Sequence, residues 1–346
     1  MRRFARGVLA LTCAVVLALA LTLCFGCDKQ VSEPSKEKQL VNKNATAEAR
    51  RLYDYIWSVS GSKVLSGQQE STWMDGGNCE YEMEYLESTT GKLPAIRGFD
   101  FIEDDFDGVV ERAKAWAKRG GIVSICWHCS KDLDGGYEDS KVAMPKAEWD
   151  AILTAGTPEN IAFLNNLDKA GRALKLLQDE GIPVVWRPFH ECDGWWFWWS
   201  LEGGEYFKRL WIMTYDHFTN DLHLDNLIWM LGFSHAEDIS EGRMEEYFPG
   251  LDYCDIVGAD SYNVRFNGAE PDLYKAAYAL VGDKKPLAMH ECGLIPTEEQ
   301  FAEAPWTYFL TWHTEYLTDK NEKDALRALY SSDYVVTLDE LPNFYA

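Results

Sequence analysis

The stretch Ile161–Phe189 reads IAFLNNLDKAGRALKLLQDEGIPVVWRPF and predicts one helix followed by one strand. From Ile161 to Leu177, apolar residues recur every three or four positions, which is the spacing of one face of a helix. Gly181 then provides a stop signal, and Pro183–Phe189 is a short, nearly continuous apolar run. Such a run is typical of a parallel strand that is buried on both faces.

The same pattern extends along the chain on both sides of this stretch. Short apolar runs rich in β-forming residues alternate with amphipathic stretches, and the eight predicted strands are Lys63–Gln68, Pro94–Phe101, Gly121–Trp127, Pro183–Phe189, Asn226–Gly232, Asp255–Asp260, Pro286–His290 and Tyr308–Trp312. Eight strand–helix units without a charge-rich break favour an α/β fold with a single (β/α)8 domain, the TIM barrel. An open, doubly wound sheet is the alternative, but it favours a Gly-rich phosphate loop after its first strand, and Gly67–Glu70 is not one.

The N-terminal segment differs in composition from the rest of the chain. Residues 1–27 combine a basic start, a long apolar run and small residues, which predicts a signal peptide. The Gly26-Cys27 pair resembles a bacterial lipobox, whose cysteine is acylated after cleavage. Residues 28–44 are polar and aperiodic and predict a flexible linker, so the barrel domain is expected over residues 45–346. We expect an exported protein, lipid-anchored to a bacterial membrane at the cell surface or in the periplasm, with plain secretion or an uncleaved anchor as alternatives.

Charge and cysteine content narrow the possible partners. The 346 residues include 33 Lys and Arg against 56 Asp and Glu, a formal net charge of −23. Such a surface repels phosphate backbones, which argues against nucleic acid as a partner, whereas a neutral ligand is not repelled. Of nine cysteines, two lie in the signal segment and Cys27 is the predicted lipid site. The sequence does not determine which of the other six are paired.

The C-terminal ends of the fourth and seventh predicted strands carry the pairs His190-Glu191 and His290-Glu291. In (β/α)8 barrels the active site lies at these ends. Glycoside hydrolysis uses two carboxyl groups, one that protonates the leaving oxygen and one that attacks the anomeric carbon, about 5–5.5 Å apart in retaining enzymes. Two glutamates that face each other across the barrel mouth therefore predict a retaining glycoside hydrolase.

Aromatic residues follow Glu191 closely, in the run Trp195–Trp199 (WWFWW). An apolar wall beside a carboxyl group raises its pKa and keeps it protonated near neutral pH, as a general acid requires. Aromatic faces also stack on the apolar C–H faces of sugar rings. We predict that Trp196 and, at the end of the eighth strand, Trp312 contribute such faces to the cleft, with packing in the core as the alternative.

Several of these motifs resemble glycoside hydrolase family 26, whose members include β-mannanases. The similarity covers residues 45–346 and is carried by Lys92–Ala95, Gly98–Asp100, Trp127-His128, Trp186–Glu191 (WRPFHE), Gly194–Trp199 (GWWFWW), Gly258–Tyr262 (GADSY), and His290-Glu291 with Gly293. The resemblance implies a retaining endo-β-1,4-mannanase on a (β/α)8 barrel, without a metal or other cofactor. After Glu191, where the family usually has Met or Leu and often Asn next, this chain has Cys192-Asp193.

The resemblance also implies a role for each site residue. It makes Glu191 the acid/base and Glu291 the nucleophile. It makes Tyr262 a hydrogen-bond donor to the nucleophile, while His190 holds the nucleophile or contacts the sugar. The remaining three line the subsite where the bond breaks: His128, Trp196 and Trp312. We expect a monomer that binds β-mannan polysaccharide or manno-oligosaccharides and contacts a membrane only through its lipid anchor.

Three other functions stay open from the residues alone. Related barrels change substrate through loop substitutions, so mixed-linkage β-glucan or xylan are alternatives to mannan. A non-catalytic carbohydrate-binding lipoprotein would keep the tryptophans and lose a carboxylate, and both carboxylates are present. The third is a zinc protein, because zinc accepts His and Cys ligands and six of these lie at strand ends: His128, Cys129, His190, Cys192, His290 and Cys292.

Overall fold

Eight parallel strands form a closed barrel in chain order, as the sequence predicts. The computed structural model describes residues 38–234, 243–262 and 270–345. The barrel strands, named β1 to β8 along the chain, are Gly67–Gln69, Ile96–Asp100, Ile122–Trp127, Val184–Pro188, Leu227–Phe233, Ile256–Ser261, Leu287–Cys292 and Phe309–Thr311. Each overlaps the apolar run predicted for it, so the (β/α)8 fold is confirmed.

Helices alternate with the strands and cover the outside of the barrel. In the described part of the chain, α1 to α12 are Ala47–Val59, Tyr81–Thr90, Phe106–Lys118, Lys146–Ile152, Pro158–Gln178, Trp198–Leu201, Gly204–Asp216, Arg243–Tyr247, Pro271–Val281, Glu298–Glu303, Glu315–Thr318 and Lys323–Tyr330. A π-helical turn, His217–Asp221, extends α7. None of the described helices combines the length and the apolar character that a bilayer-spanning segment needs.

The helix α5 carries the periodic pattern from which the fold was predicted. The Thr157 side chain caps its N-terminus, and Pro158 occupies the first turn, where its missing N–H costs nothing. Phe163 lies four residues before Leu167, and both side chains are buried on the core face. Ile161 was predicted on this face, but it is 52% exposed. It lies six residues before Leu167, which turns it away from the barrel.

The barrel closes between its shortest strands, β1 and β8, through a single residue pair. A Cβ atom at Gly67 would approach the Phe309 carbonyl oxygen to 2.6 Å, so only glycine permits this contact. Just before β1, Val64–Leu65 leaves the barrel and pairs in parallel with Val335–Val336 near the C-terminus. The run predicted as the first strand is therefore divided between two sheets.

Two apolar clusters fill the described domain. One lies between the strands and the outer helices. The other joins the inward side chains of the strands, such as Ile96 and Ile228, to Leu52 and Ile56 of α1. Because α1 packs against these inward side chains, apolar residues fill the end of the barrel that α1 covers. The open end is the one at which the strands have their C-termini.

The segment before α1 belongs to the folded domain. Leu40 is 1% exposed, and the backbone N–H of Val41 donates a 2.7 Å hydrogen bond to the buried carboxylate of Asp255. The C-terminal boundary predicted for the linker over residues 28–44 is therefore too far along the chain, because Leu40 already packs in the core. The part of that linker before residue 38, like the signal peptide predicted over residues 1–27, lies outside the described residues.

Removing the Leu40 side chain tests whether this segment stabilises the domain. Leu40→Ala is expected to lower the free energy of unfolding by about 2–4 kcal/mol, because it leaves a cavity in a packed core. Lys43→Ala is the matched control on an exposed position of the same segment, and its effect should stay within about 0.5 kcal/mol. Chemical denaturation of both variants measures the difference. Equal, small effects would show that the segment is only a tether.

Candidate active site

The end of β4 leaves regular strand geometry at the two residues that flank His190. Phe189 and Glu191 have φ angles of 50° and 52°, in the left-handed region that side chains other than glycine rarely adopt. Phe189 and Cys192 are buried in the core, so packing holds this strained turn in place. The turn carries His190 and Glu191 to the mouth of the barrel.

The end of β7 is irregular as well. Its register against both neighbouring strands shifts in the segment after Met289. In a regular strand, adjacent side chains point to opposite faces. Here His290 and Glu291 both contact the guanidinium group of Arg187 on β4, His290 through Nδ1 at 2.6 Å and Glu291 through Oε1 at 3.0 Å. The irregularity thus turns two neighbouring side chains toward the same partner.

Glu191 and Glu291 meet at the mouth of the barrel. One carboxylate oxygen of each lies within 4.8 Å of the other, and an oxygen of Asp260 lies within the same distance of both. This upper bound is shorter than the roughly 6.5–9.5 Å that inverting enzymes need to hold a water, and it allows the direct attack of retaining glycosidases. Glu191 is 9% exposed and Glu291 is 2% exposed, so both are largely shielded from solvent.

Charged and polar donors surround Glu291. Arg187 donates to Oε1, and the hydroxyl of Tyr262 donates to Oε2 at 2.8 Å. Burial raises the pKa of Glu291 to about 7, with Arg187 opposing the shift and the charge of Glu191 adding to it. The charges of Arg187 and Glu191 therefore act in opposite directions on the pKa of Glu291.

An aromatic residue holds Glu191. The indole N–H of Trp196 donates a 2.5 Å hydrogen bond to Oε2 of Glu191. The backbone between them turns tightly, because the N–H of Gly194 donates to the carbonyl oxygen of Glu191 at 2.9 Å. Trp196 is 36% exposed, so part of its surface is accessible at the mouth. Trp198 and Trp199, by contrast, are fully buried and donate to backbone carbonyls of the core.

A histidine pair lies on the β3 side of the glutamates. His128 pairs through Nδ1 with the carboxylate of Asp100 at 2.5 Å, and its Nε2 lies 3.1 Å from Nε2 of His190. Burial alone would lower the pKa of His128, but attraction to Asp100 outweighs it and the pKa is raised. Burial, together with the positive charges of His128 and Arg187, lowers the pKa of His190 well below its usual value. The two imidazole rings thus differ in the direction of their pKa shifts, with Asp100 responsible for that of His128.

A cavity of about 260 Å³ opens beside His128. It lies at the ends of β1, β2, β3 and β8, and one wall contains Trp312, whose ring centroid is 6.3 Å from that of His128. Trp73, which is 52% exposed, and Tyr137 add aromatic surface, while Asp100 adds a carboxylate. Aromatic surface mixed with a few fixed polar groups is typical of a site for a neutral polar ligand such as a sugar.

The predicted site residues therefore fall into one region: Tyr262 contacts Glu291, Trp196 contacts Glu191, and the remaining predicted residues line the same mouth. Three further members of the region lie within motifs noted in the sequence, but sequence reasoning assigned none of them a role: Arg187, Asp100 and Asp260. Arg187 had a signal in the sequence, since a lone Arg inside an apolar strand must find a buried partner.

The six residues of the zinc alternative do not form a ligand set. In the described part of the chain, only two groups bring three potential ligand atoms within 4.8 Å, and neither includes Cys129, Cys192 or Cys292. Burial raises the pKa of all three thiols, which disfavours the thiolate that zinc requires. The six described cysteines are all unpaired thiols.

Comparison with known proteins places this geometry in a family. The profile of glycosyl hydrolase family 26 matches residues 41–340. A mannan endo-1,4-beta-mannosidase of Thermothelomyces thermophilus is 34% identical over 90% of this chain, and mannan endo-1,4-beta-mannosidase B of Piromyces sp is 32% identical over 88%. The chain spans only 65% and 54% of the lengths of these two relatives.

Solved structures agree with the family match. A ruminal GH26 endo-beta-1,4-mannanase superimposes with a TM-score of 0.80 at 32% identity, covering 90% of this chain and 72% of that one. A beta-mannanase from a symbiotic protist of the termite Reticulitermes speratus, complexed with gluco-manno-oligosaccharide, gives 0.79 at 29% identity, covering 88% and 98%. With its sequence matched from residue 41 to residue 340, this chain belongs to glycosyl hydrolase family 26.

Proposed function

We propose that this barrel is a retaining endo-β-1,4-mannanase that hydrolyses mannan, glucomannan or galactomannan. The observation that carries the proposal is the approach of the Glu191 and Glu291 carboxylates to within 4.8 Å at the barrel mouth. That spacing suits direct attack by one carboxylate while the other serves as acid. The names of the relatives, and the gluco-manno-oligosaccharide bound to one of the similar structures, support mannan as the substrate class.

In the first step, Glu291 attacks the anomeric carbon while Glu191 gives its proton to the glycosidic oxygen. The bond from the anomeric carbon to that oxygen breaks, the departing chain leaves with the proton, and an ester joins the sugar to Glu291. In the second step, Glu191 removes a proton from water, the water oxygen attacks the anomeric carbon, and Glu291 leaves as a carboxylate. Two displacements at one carbon retain its configuration.

The surroundings of the two carboxyl groups divide these roles. Arg187 and Tyr262 stabilise negative charge on Glu291, whereas the contact to Glu191 is the N–H of Trp196. Because the donors to Glu291 stabilise the carboxylate form that must attack carbon, we assign Glu291 as the nucleophile and Glu191 as the acid.

Aromatic and imidazole groups bind the sugar next to the scissile bond in this proposal. Trp312 and the face of Trp196 offer surfaces for the C–H faces of a pyranose ring. His128 and His190, linked to each other at 3.1 Å, lie beside this ring, and Asp100 pairs with His128. These groups recognise a neutral sugar.

We further propose that residues 1–27 direct export and that Cys27 carries the lipid anchor. The charged residues 28–37 would then separate the barrel from a bacterial membrane, at the cell surface or facing the periplasm. A barrel held in this way acts as a monomer on a polysaccharide that it meets outside the cytoplasm. The basis is the order of basic, apolar and small residues that ends in Gly26-Cys27.

Substrate profiling and two alanine variants test the proposed mechanism. The wild-type protein is expected to release products of mixed length from mannan, glucomannan and galactomannan, and little from xylan or lichenan. Glu191→Ala should lower turnover of mannan by about 10²–10⁴-fold while sparing aryl β-mannosides with good leaving groups, because these need little protonation. Glu291→Ala should abolish turnover of both kinds of substrate. Intact mannan turnover in Glu291→Ala would refute the assignment of the nucleophile.

The raised pKa of Glu291 predicts a pH dependence of stability. The folded state holds this proton more tightly than the unfolded chain, so the contribution is complete below pH 4.5 and is lost as pH rises to about 7. The wild-type free energy of unfolding should therefore fall by about 3 kcal/mol relative to Glu291→Gln over this window. Tyr262→Phe removes a hydrogen bond that lowers this pKa and should extend the fall to higher pH. Chemical denaturation at several pH values measures both, and parallel curves for wild type and Glu291→Gln would contradict the prediction.

Metabolic labelling tests the N-terminal proposal. When the full chain is expressed in a bacterium that is fed labelled palmitate, the wild-type protein should carry label and sediment with membranes. Cys27→Ser should lose the label, because the acceptor thiol is gone. Cys24→Ser is the matched control, three residues earlier in the same segment, and should keep the label. A Cys27→Ser variant that remained labelled would rule out acylation at this position.

A further inference from the structure

One exposed aromatic side chain beside Glu191 has no role in the mechanism above. Trp195 is 59% exposed, more than any other tryptophan that the structure describes. It directly precedes Trp196, on the loop that turns tightly back toward Glu191 at Gly194. A large apolar ring held in water near a cleft gains stability when a ligand covers it.

Arg243 holds this ring in one orientation. Its guanidinium carbon lies 3.6 Å from the ring centroid of Trp195, which is close contact for a cation–π pair. The guanidinium also donates to two backbone carbonyls of the same loop, that of Asp193 at 2.6 Å and that of Gly194 at 3.3 Å. Arg243 thus binds the loop and the indole together. A ring fixed in this way loses little further freedom when it binds a ligand.

The position of Trp195 relative to Glu191 assigns it to one side of the scissile bond. The cavity beside His128, with Trp312 in its wall, lies at the ends of β1, β2, β3 and β8. Trp195 lies on the loop after β4, next to the residue whose indole binds the Glu191 carboxylate. Because the acid must touch the leaving oxygen, the departing sugar lies against this loop.

We propose that Trp195, backed by Arg243, is a platform for a pyranose ring of the departing chain. This inference rests on the proposed function, since it takes Glu191 as the acid. Stacking on a flat aromatic face suits the apolar C–H surface of a β-linked pyranose. In the second step the same platform holds an acceptor sugar. The oxygen of its hydroxyl then attacks the anomeric carbon in place of water and Glu191 takes its proton. The bond from the anomeric carbon to Glu291 breaks, Glu291 leaves as a carboxylate, and a longer chain forms.

Two substrates with different leaving groups, one a sugar chain and one fluoride, test the platform. Mannopentaose has sugars on both sides of the bond, whereas β-mannobiosyl fluoride has only fluoride as its leaving group. Trp195→Ala is expected to lower kcat/KM for mannopentaose roughly tenfold and to leave β-mannobiosyl fluoride unchanged. Trp195→Phe keeps a ring and should retain most of the activity. Tyr278→Ala, which removes an exposed aromatic ring on α9, is the control and should change neither value.

Transfer to an added sugar gives a second, independent measurement. With β-mannobiosyl fluoride as donor and mannobiose as acceptor, Trp195→Ala should lower the ratio of transfer product to hydrolysis product, because only the acceptor needs the platform. If Trp195→Ala lowered kcat/KM equally for both substrates, Trp195 would have only a structural role. If its kcat/KM for mannopentaose equalled that of the wild type, Trp195 would not be a platform. If the wild-type protein cleaves neither substrate, the proposed function itself fails. A wild type that cleaves both, with an unaffected Trp195→Ala variant, refutes the platform alone.

Discussion

A guanidinium group inside the barrel organises the catalytic end of this domain. Arg187 on β4 is 1% exposed and contacts both His290 and Glu291 on β7. A buried charge of this kind is stable only with a partner, so Arg187 and Glu291 depend on each other. Arg187 can only donate and the carbonyl of Phe233 can only accept, so His290 between them is neutral with its proton on Nε2. This contact therefore fixes the environment of Glu291, the tautomer of His290 and the approach of β4 to β7.

The two strands that carry the glutamates are the ones that break regular geometry beside them. Alternation along a strand sends neighbouring side chains to opposite faces, so a strand that presents both members of a His-Glu pair must be distorted. On β7 the distortion is a shift of register, and after β4 it is a pair of left-handed residues, Phe189 and Glu191. Such backbone persists only where the surroundings impose it, and here the buried ring of Phe189 does so. The two strands thus depart from regular geometry beside Glu191 and Glu291.

The sequence predicted the barrel well because each parallel strand, buried on both faces, reads as an apolar run. It also placed Glu191 and Glu291 at one mouth, because parallel strands in a closed ring end on the same side. It did not predict the contact of Arg187, since a strand distortion decides which side chains share a face. Leu40 was taken as part of the linker because two adjacent apolar residues, Leu40 and Val41, in a polar segment have no period to detect. The support of Trp195 by Arg243 joins residues nearly fifty positions apart, which no local pattern reports.

The surroundings of the two glutamates differ in a way that matches the roles proposed for them. Glu291 lies among a guanidinium group, a phenol and the end of a buried strand, all of which favour a carboxylate at that position. Glu191 accepts a hydrogen bond from the indole of Trp196, on a loop where Trp195 and Trp196 are exposed to solvent. The first environment suits attack on carbon and the second suits delivery of a proton. In the proposed reaction the departing sugar passes the second environment, so the aromatic groups beside Glu191 are also surfaces on which that sugar can rest.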